Sequence, residues 1–391
     1  MKWRMFICAI CFLIGGCSLN IPLEDQFSDP DAITDVLSAR SLLASAYKAM
    51  PQQIFQLSVL SDDFCPSQHL NKDMSLQGLY NWREVEMTEL AGTLWAGYYA
   101  VIAEVNALLA RIDAVVTLDE TEKLEKMRIV CEAKALKSWC YFDLLRLFAP
   151  RYEGNENKDG IILKKRVELD FLPRSSVKEC VTEIRTLLNE ARNVDNTQKN
   201  VYWLSDKAVA YLQVELELYA GNYPAVLELT KDLETEYPES VLGADVYKYL
   251  WSSENSDARI FGKYQLEQIY MDIRFDTFEK GDYLVLSQNV DYEEEDIRKE
   301  WSEIPFVMPD AKNVRLLGKY NKMNRDKVAS KYVNVARAAG MWLMRVEALA
   351  RSGKEGDAVA LANRMLKQRG ATEWSTNIAG NELISKILIE R

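Results

Sequence analysis

Residues 205–237 hold the pattern that most constrains how this chain folds, because two apolar helical stripes are separated there by a break. From Ser205 to Ala220, apolar side chains recur at spacings of three and four residues, which predicts an amphipathic helix. Gly221 suits the left-handed C-terminal cap of that helix, and Pro224 suits the first turn of a second one. The segment therefore predicts an antiparallel helical hairpin.

Further helices extend this pattern through most of the chain. A second hairpin is predicted around a break at residues 352–354, and other helices are predicted over 29–50, 94–113 and 120–148. Ser176 and Glu179 form the capping box of one more helix. The fold class is therefore all-α dominated, a tetratricopeptide-like scaffold of helix pairs over residues 29–237 and 332–391.

Residues 238–331 interrupt the scaffold as a long irregular insertion. They show no long helical period, only short possible strands such as 283–286 and an acidic run at 293–296. Residues 58–89 are also predicted to be mostly loop, and 161–163 a short extended piece. A long irregular insertion in a helical scaffold is commonly where ligands bind.

Composition excludes several classes of function. The chain has 391 residues, 48% of them hydrophobic, and a net charge of −11, whereas nucleic-acid binding needs a basic surface. His69 is the single histidine, which argues against a Ser-His-Asp or Cys-His catalytic site and against most zinc sites. The acidic run lacks the ligand spacing of a calcium loop and is interpreted as a solvated face. We therefore predict no catalytic residue, no metal and no cofactor.

The N-terminal segment predicts export and lipid anchoring. Lys2 and Arg4 precede an apolar run over residues 5–14, which is too short to span a bilayer. Gly15, Gly16 and Cys17 then resemble a bacterial lipobox, in which Cys17 would be cleaved and acylated to anchor the chain. The domain prediction is a signal peptide over 1–16 and a single domain over 17–391.

Four further cysteines remain in the mature chain: Cys65, Cys131, Cys140 and Cys180. Their spacing fits no metal motif, and Cys131 and Cys140 lie too far apart along one predicted helix to form a disulfide. Small buried hydrophobic side chains are the favoured interpretation. Cys65 and His69 could be a catalytic nucleophile and its base, but no other feature of the sequence supports that hypothesis.

The order of motifs resembles the SusD/RagB family of outer-membrane nutrient-binding lipoproteins of Bacteroidetes. The matching stretches follow the lipobox in the family's order: Pro22 and Asp25; 43–47; 95–99 with 105–106; 132–136 with 141–144; 173–177; 296–298; 318–320; and 337–348. Two residues depart from the family pattern, Gly340 and Val346. The family's final segment continues beyond an element like residues 387–391, and a truncated layer would expose an apolar face of the C-terminal hairpin.

This resemblance implies a surface-exposed receptor that changes no bond in its ligand. The protein would capture oligosaccharide, or peptide as in RagB-like members, and deliver it to a SusC-like TonB-dependent transporter of the outer membrane. Flat aromatic side chains on loops suit the apolar faces of sugar rings. The candidate ligand-binding residues are therefore the aromatics of the irregular segments: Tyr80, Trp82, Trp251 and Trp301.

Two other classes of function stay open. In the first, the helical scaffold binds a protein partner at the outer membrane instead of a nutrient. In the second, the chain is a lipid-anchored glycosidase, which requires two opposed carboxylates in a cleft.

Overall fold

The structure, a computed structural model, describes residues 33–51, 54–61, 64–66, 74–168, 170–192, 201–251, 255–264, 284–286, 291–307, 311–319 and 332–391. The helices of this part are α1 Val36–Ala49, α2 Ile54–Leu60, α3 Met74–Tyr80, α4 Glu84–Arg111, α5 Glu120–Phe148, α6 Val177–Ala191, α7 Asp206–Tyr219, α8 Tyr223–Leu229, α9 Leu233–Glu236, α10 Ala244–Leu250, α11 Ile297–Ser302, α12 Ala338–Arg351, α13 Glu355–Arg369 and α14 Gly380–Glu390. Cys17 and the lipobox lie outside the described residues.

The long helices form the predicted scaffold of antiparallel pairs. Neighbours in sequence pack against each other as α4 with α5, α7 with α8, and α12 with α13, and α12 also packs on α8 and α14. Gly221 has φ +69° and Pro224 stands in the first turn of α8, as the sequence predicted. The chain therefore has an all-α scaffold of helix pairs, and their inward faces form the main core.

Helix starts follow the local capping chemistry. The Ser176 side chain accepts from the backbone N–H of Glu179, and the Glu179 carboxylate accepts from the backbone N–H of Ser176, which confirms the predicted capping box of α6. In contrast, the predicted start of the first helix at Asp29 is wrong. Residues 33 and 34 are not helical, and Asp35 is the N-cap, its carboxylate accepting from the backbone N–H of Ser38 at 2.7 Å.

The prediction of mostly loop over 58–89 is also wrong. Helices α2 and α3 are short, and α4 begins at Glu84, ahead of the predicted start at Leu94. They are held by a small apolar cluster whose buried members come from α2, α3 and the strand 313–317: Val59, Leu76, Leu79 and Leu317. Helix α4 with the turn after it is apolar enough to cross a membrane by length and composition, but it packs against α1 and α5 as a core helix does.

The insertion holds more order than its sequence predicted. Its strands belong to two antiparallel sheets formed by β1 Phe64–Pro66, β2 Arg259–Tyr264, β3 Leu284–Leu286, β4 Glu303–Val307, β5 Asn313–Leu317 and β6 Tyr332–Arg337. One sheet has the order β1-β3-β5-β4, and the other pairs β2 with β6. Strand β3 confirms the predicted strand near residues 283–286. Strand β6 runs directly into α12, so the second sheet is joined to the scaffold.

Candidate functional site

The turn between α3 and α4 presents the most exposed of the candidate aromatics. The backbone N–H of Trp82 donates to the Leu79 carbonyl at 3.0 Å, and that of Arg83 donates to the Gly78 carbonyl at 2.9 Å. These two bonds are the pair that defines a Schellman motif at the end of a helix. Trp82 occupies the position of that motif which glycine usually takes.

Trp82 stands there in the left-handed region, with φ +54°, and its side chain is 63% exposed. A Cβ makes this conformation cost about 1–2 kcal/mol per residue, so a bulky aromatic there is an outlier. Val85, the second residue of α4, is 74% exposed and adds apolar surface three residues after Trp82. Strained, exposed residues of this kind concentrate at binding sites.

Tyr80 lies at the end of α3 and supports this turn. Its ring is partly buried against the apolar cluster that contains Leu79 and Leu317. Only part of the ring is therefore open to solvent. Tyr80 anchors the turn on the sheet, while Trp82 projects from it.

Trp251 is 4% exposed and packs in another small cluster with Tyr247 and Leu250. Its ring centroid lies 5.7 Å from that of Tyr247, 4.9 Å from Lys319 Nζ and 5.6 Å from Arg337 Cζ. This burial argues against the predicted ligand role of Trp251. The sequence did not indicate this burial, because Trp251 follows a helix of seven residues, which is too short to show a repeated apolar spacing.

Trp301 is partly buried on α11 and packs against the cluster that contains Trp251. Its backbone is held closely by the segment after β5: a Cβ on Gly318 would lie 2.9 Å from the Trp301 carbonyl oxygen and 2.7 Å from the Glu303 nitrogen. The close approach requires glycine at 318 and fixes where α11 ends.

The end of β5 brings the candidate aromatics into one region. Leu317 belongs to the cluster beneath Tyr80, Gly318 abuts the Trp301 backbone, and Lys319 lies over the ring of Trp251. Three consecutive residues therefore connect the Trp82 turn to the α10–α11 corner. The sequence did not predict this connection, since it joins segments more than 160 residues apart.

A hydrogen-bond network links α10, β2, β6 and the end of α11 in this region. The buried guanidinium of Arg259 donates to Asn334 Oδ1 at 2.8 Å and to the Leu250 carbonyl at 2.8 Å. The Tyr247 hydroxyl hydrogen bonds to Ser302 Oγ at 2.9 Å, and burial raises the pKa of Tyr247 to about 12. Tyr247 is therefore neutral at physiological pH and acts as structural support.

The acidic run at residues 293–296 is only partly the solvated face that the sequence predicted, because its last residue is buried. Asp296 is 3% exposed, caps α11 and is paired with Arg298 at 2.6 Å. Glu293 accepts from the backbone N–H of Thr372 at 2.7 Å, and hydrogen bonds from the Thr372 side chain and backbone lower the pKa of Glu293. Within the described part of the chain, no group of three or more His, Cys, Asp or Glu side chains has the arrangement of a metal site.

The cysteines for which side chains are described are structural. Cys131, Cys140 and Cys180 are buried, and burial raises the pKa of the Cys140 and Cys180 thiols. A raised pKa leaves a thiol protonated and unreactive. The side chain of Cys65 and all of His69 lie outside the described residues.

A cavity of about 550 Å³ on the outer side of α6 was not predicted from the sequence. Leu163 and Leu172 form part of its wall, and Lys165 bridges to Glu183 at 2.6 Å across it. Exposed polar positions on one helix face carry no signal that distinguishes such a cavity from ordinary surface.

A family model described as SusD-like, starch-binding associating with outer membrane, matches residues 23–214. No curated protein sequence matches the chain.

Solved structures match the fold over nearly the whole chain. A SusD superfamily protein from Bacteroides vulgatus has a TM-score of 0.74 at 18% identity, covering 92% of this chain and 85% of that one. A SusD-like carbohydrate binding protein from the same species has a TM-score of 0.70 at 17% identity, covering 92% and 80%. A SusD homolog from Bacteroides thetaiotaomicron has a TM-score of 0.68 at 20% identity, covering 93% and 87%. The chain therefore resembles the SusD-like family in sequence over residues 23–214 and shares the SusD superfamily fold over nearly its whole length.

Proposed function

We propose that this protein is a lipid-anchored receptor on the outer membrane that binds oligosaccharide at the Trp82 turn. The observation that carries the proposal is Trp82 itself, which is 63% exposed and stands in the left-handed region with φ +54°. The family that the chain resembles is described as starch-binding, and one structural neighbour is described as carbohydrate binding. Tyr80 and the partly exposed Trp301 complete the proposed site.

The chemistry of this turn suits a sugar ring. A pyranose presents apolar C–H groups on its faces and hydroxyls at its rim. An indole held in place offers a flat apolar surface at little entropic cost, because few rotamers remain to be fixed on binding. Asn81 and Arg83, both exposed beside Trp82, supply polar groups for the hydroxyls.

Ligand binding is tested by affinity electrophoresis in gels that contain starch or other purified polysaccharides, followed by calorimetry with the matching oligosaccharides. We expect Trp82→Ala to weaken binding by tenfold or more, since anchor residues contribute about 2 kcal/mol or above. Phe171→Ala is the matched control, because Phe171 is a fully exposed aromatic in a separate segment. Equal binding by Trp82→Ala and Phe171→Ala contradicts the proposed site.

Binding of peptides by the native protein, with none of the glycans retained, would instead indicate a RagB-like receptor. We further propose that the ligand leaves chemically unchanged. Incubation with mixed glycans is expected to release no reducing ends, and their release would indicate a glycosidase.

We also propose that residues 1–16 are removed as a signal peptide, that the rest folds as one domain, and that acylated Cys17 anchors it. The partner in this proposal is a SusC-like TonB-dependent transporter, to which the bound glycan passes. Cells expressing the native chain should incorporate labelled palmitate into it, and Cys17→Ala should not. Purification from outer membranes should recover a large barrel protein with the native chain; recovery of other partners alone would favour an interaction scaffold.

A further inference from the structure

The Schellman motif at Trp82 lacks the apolar contact that usually closes such a motif. That contact joins the residue after the left-handed position to a residue in the last helical turn. Here these two positions hold Arg83 and Gly78, which have no apolar side chains to pack together. Another interaction must therefore hold the turn.

Glu86 occupies the place of the missing contact. Its carboxylate pairs with the Arg83 guanidinium at 2.7 Å, and its side chain is only 17% exposed. The same side chain lies directly over Gly78, where an added Cβ would be within 2.6 Å of Glu86 Cγ. Glu86 thus reaches from the first turn of α4 back over the last turn of α3. It bridges the two helices that flank Trp82.

Holding the turn matters for Trp82 because its backbone conformation is unfavourable for a residue with a Cβ. If the turn loosens, φ of Trp82 relaxes toward the ordinary negative range and the indole points elsewhere. The apparent affinity for a ligand falls in proportion to the fraction of molecules that keep the binding conformation.

We propose that Glu86, seated over Gly78, is a positioning residue that holds Trp82 in its left-handed conformation and so aims the indole. The ligand consequence rests on the proposed function, whereas the conformational statement does not depend on it. Glu86 itself contacts no ligand in this arrangement.

Two substitutions separate positioning from folding. Glu86→Ala removes the side chain that closes the turn. Gly78→Ala keeps Glu86 but displaces it, because the three atoms nearest to the added Cβ all belong to that flexible side chain. Alanine also favours the helix more than glycine does. Gly78→Ala should therefore keep or raise the melting temperature while it disturbs Trp82. Glu86→Gln retains the shape of the side chain and a hydrogen-bond acceptor for Arg83. It should therefore keep Trp82 mostly in its native conformation. Glu89→Ala removes an exposed carboxylate from the same helix as control.

The first readout needs no ligand. In protein labelled with 5-fluorotryptophan, the ¹⁹F resonance of Trp82 is assigned by its loss in Trp82→Phe. We expect Glu86→Ala and Gly78→Ala to shift or broaden that resonance and to leave those of the other tryptophans in place. The Glu89→Ala spectrum should match the native one. A Trp82 resonance that is unchanged in both Glu86→Ala and Gly78→Ala overturns the proposal.

The second readout is binding of the oligosaccharide that the native protein retains in gels. We expect Glu86→Ala and Gly78→Ala to weaken binding by about tenfold and Glu86→Gln by less, as a loss of the left-handed population predicts. Native affinity in Glu86→Ala despite a moved resonance overturns the ligand consequence. A moved resonance in a protein that retains no glycan contradicts the proposed function and leaves the positioning role standing.

Discussion

Lys137 on α5 is a charged side chain placed in the protein interior. It is 4% exposed, and its Nζ donates to Asn106 Oδ1 at 2.6 Å. The Asn106 amide in turn donates to the Lys164 carbonyl at 2.9 Å, and the Tyr141 hydroxyl donates to the same carbonyl at 2.6 Å. This network ties α4 and α5 to the segment that leads into α6. Burial disfavours the charged amine and lowers the pKa of Lys137 to about 8, from a usual value of 10.5.

The lowered pKa of Lys137 predicts how stability depends on pH. Between about pH 8 and 10.5 the native state has released a proton that the unfolded state still holds, so the Lys137 contribution to the free energy of unfolding rises with pH. Below pH 8 both states are protonated, and the buried charge opposes folding by a constant amount. The rise is at most about 1.4 kcal/mol per pH unit.

Urea unfolding at several pH values between 7 and 10 checks this expectation for Lys137→Met. The native curve should climb relative to that of Lys137→Met above pH 8. Lys123→Met, which alters a 60% exposed lysine on the same helix, should run parallel to the native protein. Parallel curves for Lys137→Met and the native protein would contradict the buried-cation interpretation.

At single residues, the sequence predicted what local chemistry determines. Ser176 with Glu179 caps α6, and Gly221 is left-handed, because both depend on backbone groups a few residues away. Trp82 is exposed, and its left-handed conformation was not predicted, since tryptophan carries no turn signal. Trp251 was misjudged because its burial depends on partners such as Lys319 and Arg337, which lie far along the chain.

At the scale of elements, β5 and the residue after it connect the helical turn of Trp82 to the α10–α11 corner. Gly318 makes this possible, because a Cβ there would lie 2.7 Å from the Glu303 nitrogen and 2.8 Å from the Ser302 carbonyl carbon. Both are backbone atoms and cannot rotate away. The Gly318 backbone N–H also donates to the Ser302 carbonyl at 2.8 Å, which fixes the approach.

Gly318→Ala is therefore expected to separate β5 from the start of β4 and to destabilise the protein by roughly 1–3 kcal/mol, as overpacking does. The displacement should also shift the ¹⁹F resonance of Trp301 in 5-fluorotryptophan protein. Gly356→Ala is the control, because nothing lies within 4 Å of a Cβ at that position. An equal melting temperature for Gly318→Ala and Gly356→Ala would show that the backbone around Gly318 accommodates a Cβ without loss of stability, which contradicts this prediction.

Element prediction succeeded in proportion to length. Helix α5 over Glu120–Phe148 matches its predicted range, since many turns repeat the same apolar spacing. Helices α2 and α3 have only seven residues each and exist through tertiary packing on Leu317, which no local pattern reveals. Strands β4 and β5 were missed as well: β4 pairs with β5, and β5 in turn pairs with β3, so their sheet is completed by segments elsewhere in the chain.

At the scale of the whole molecule, α14 joins the helical scaffold to the insertion. Leu383 and Ile387 are fully buried, and α14 packs on α12. The expected exposed apolar face on the C-terminal hairpin is not found among the described residues of α12 and α13; the exposed large apolar side chains here are Leu388 and Ile389 on α14 itself. The last helix thus covers the scaffold on one side and faces the insertion with its final turn.

That final turn carries Glu390, which pairs with two arginines from different parts of the chain. Arg298, on α11 of the insertion, donates to the Glu390 carboxylate at 2.6 Å, and Arg369, at the end of α13, donates to the same carboxylate. Arg369 is 4% exposed, and burial with the neighbouring Arg298 lowers its pKa to about 10. The two guanidinium groups share the Glu390 carboxylate, and Arg298 pairs with Asp296 as well.

Removing that carboxylate should loosen the insertion from the scaffold. Glu390→Ala leaves the buried Arg369 without its partner, so we expect a loss of about 3–5 kcal/mol in the free energy of unfolding, as for broken buried ion pairs. Glu382→Ala, an exposed carboxylate on the same helix, should cost less than about 0.5 kcal/mol. Urea unfolding measures both, and protease cleavage within the insertion should accelerate in Glu390→Ala alone. Similar stability and cleavage in the two variants would mean that the core beneath α14, rather than Glu390, holds the insertion to the helix pairs.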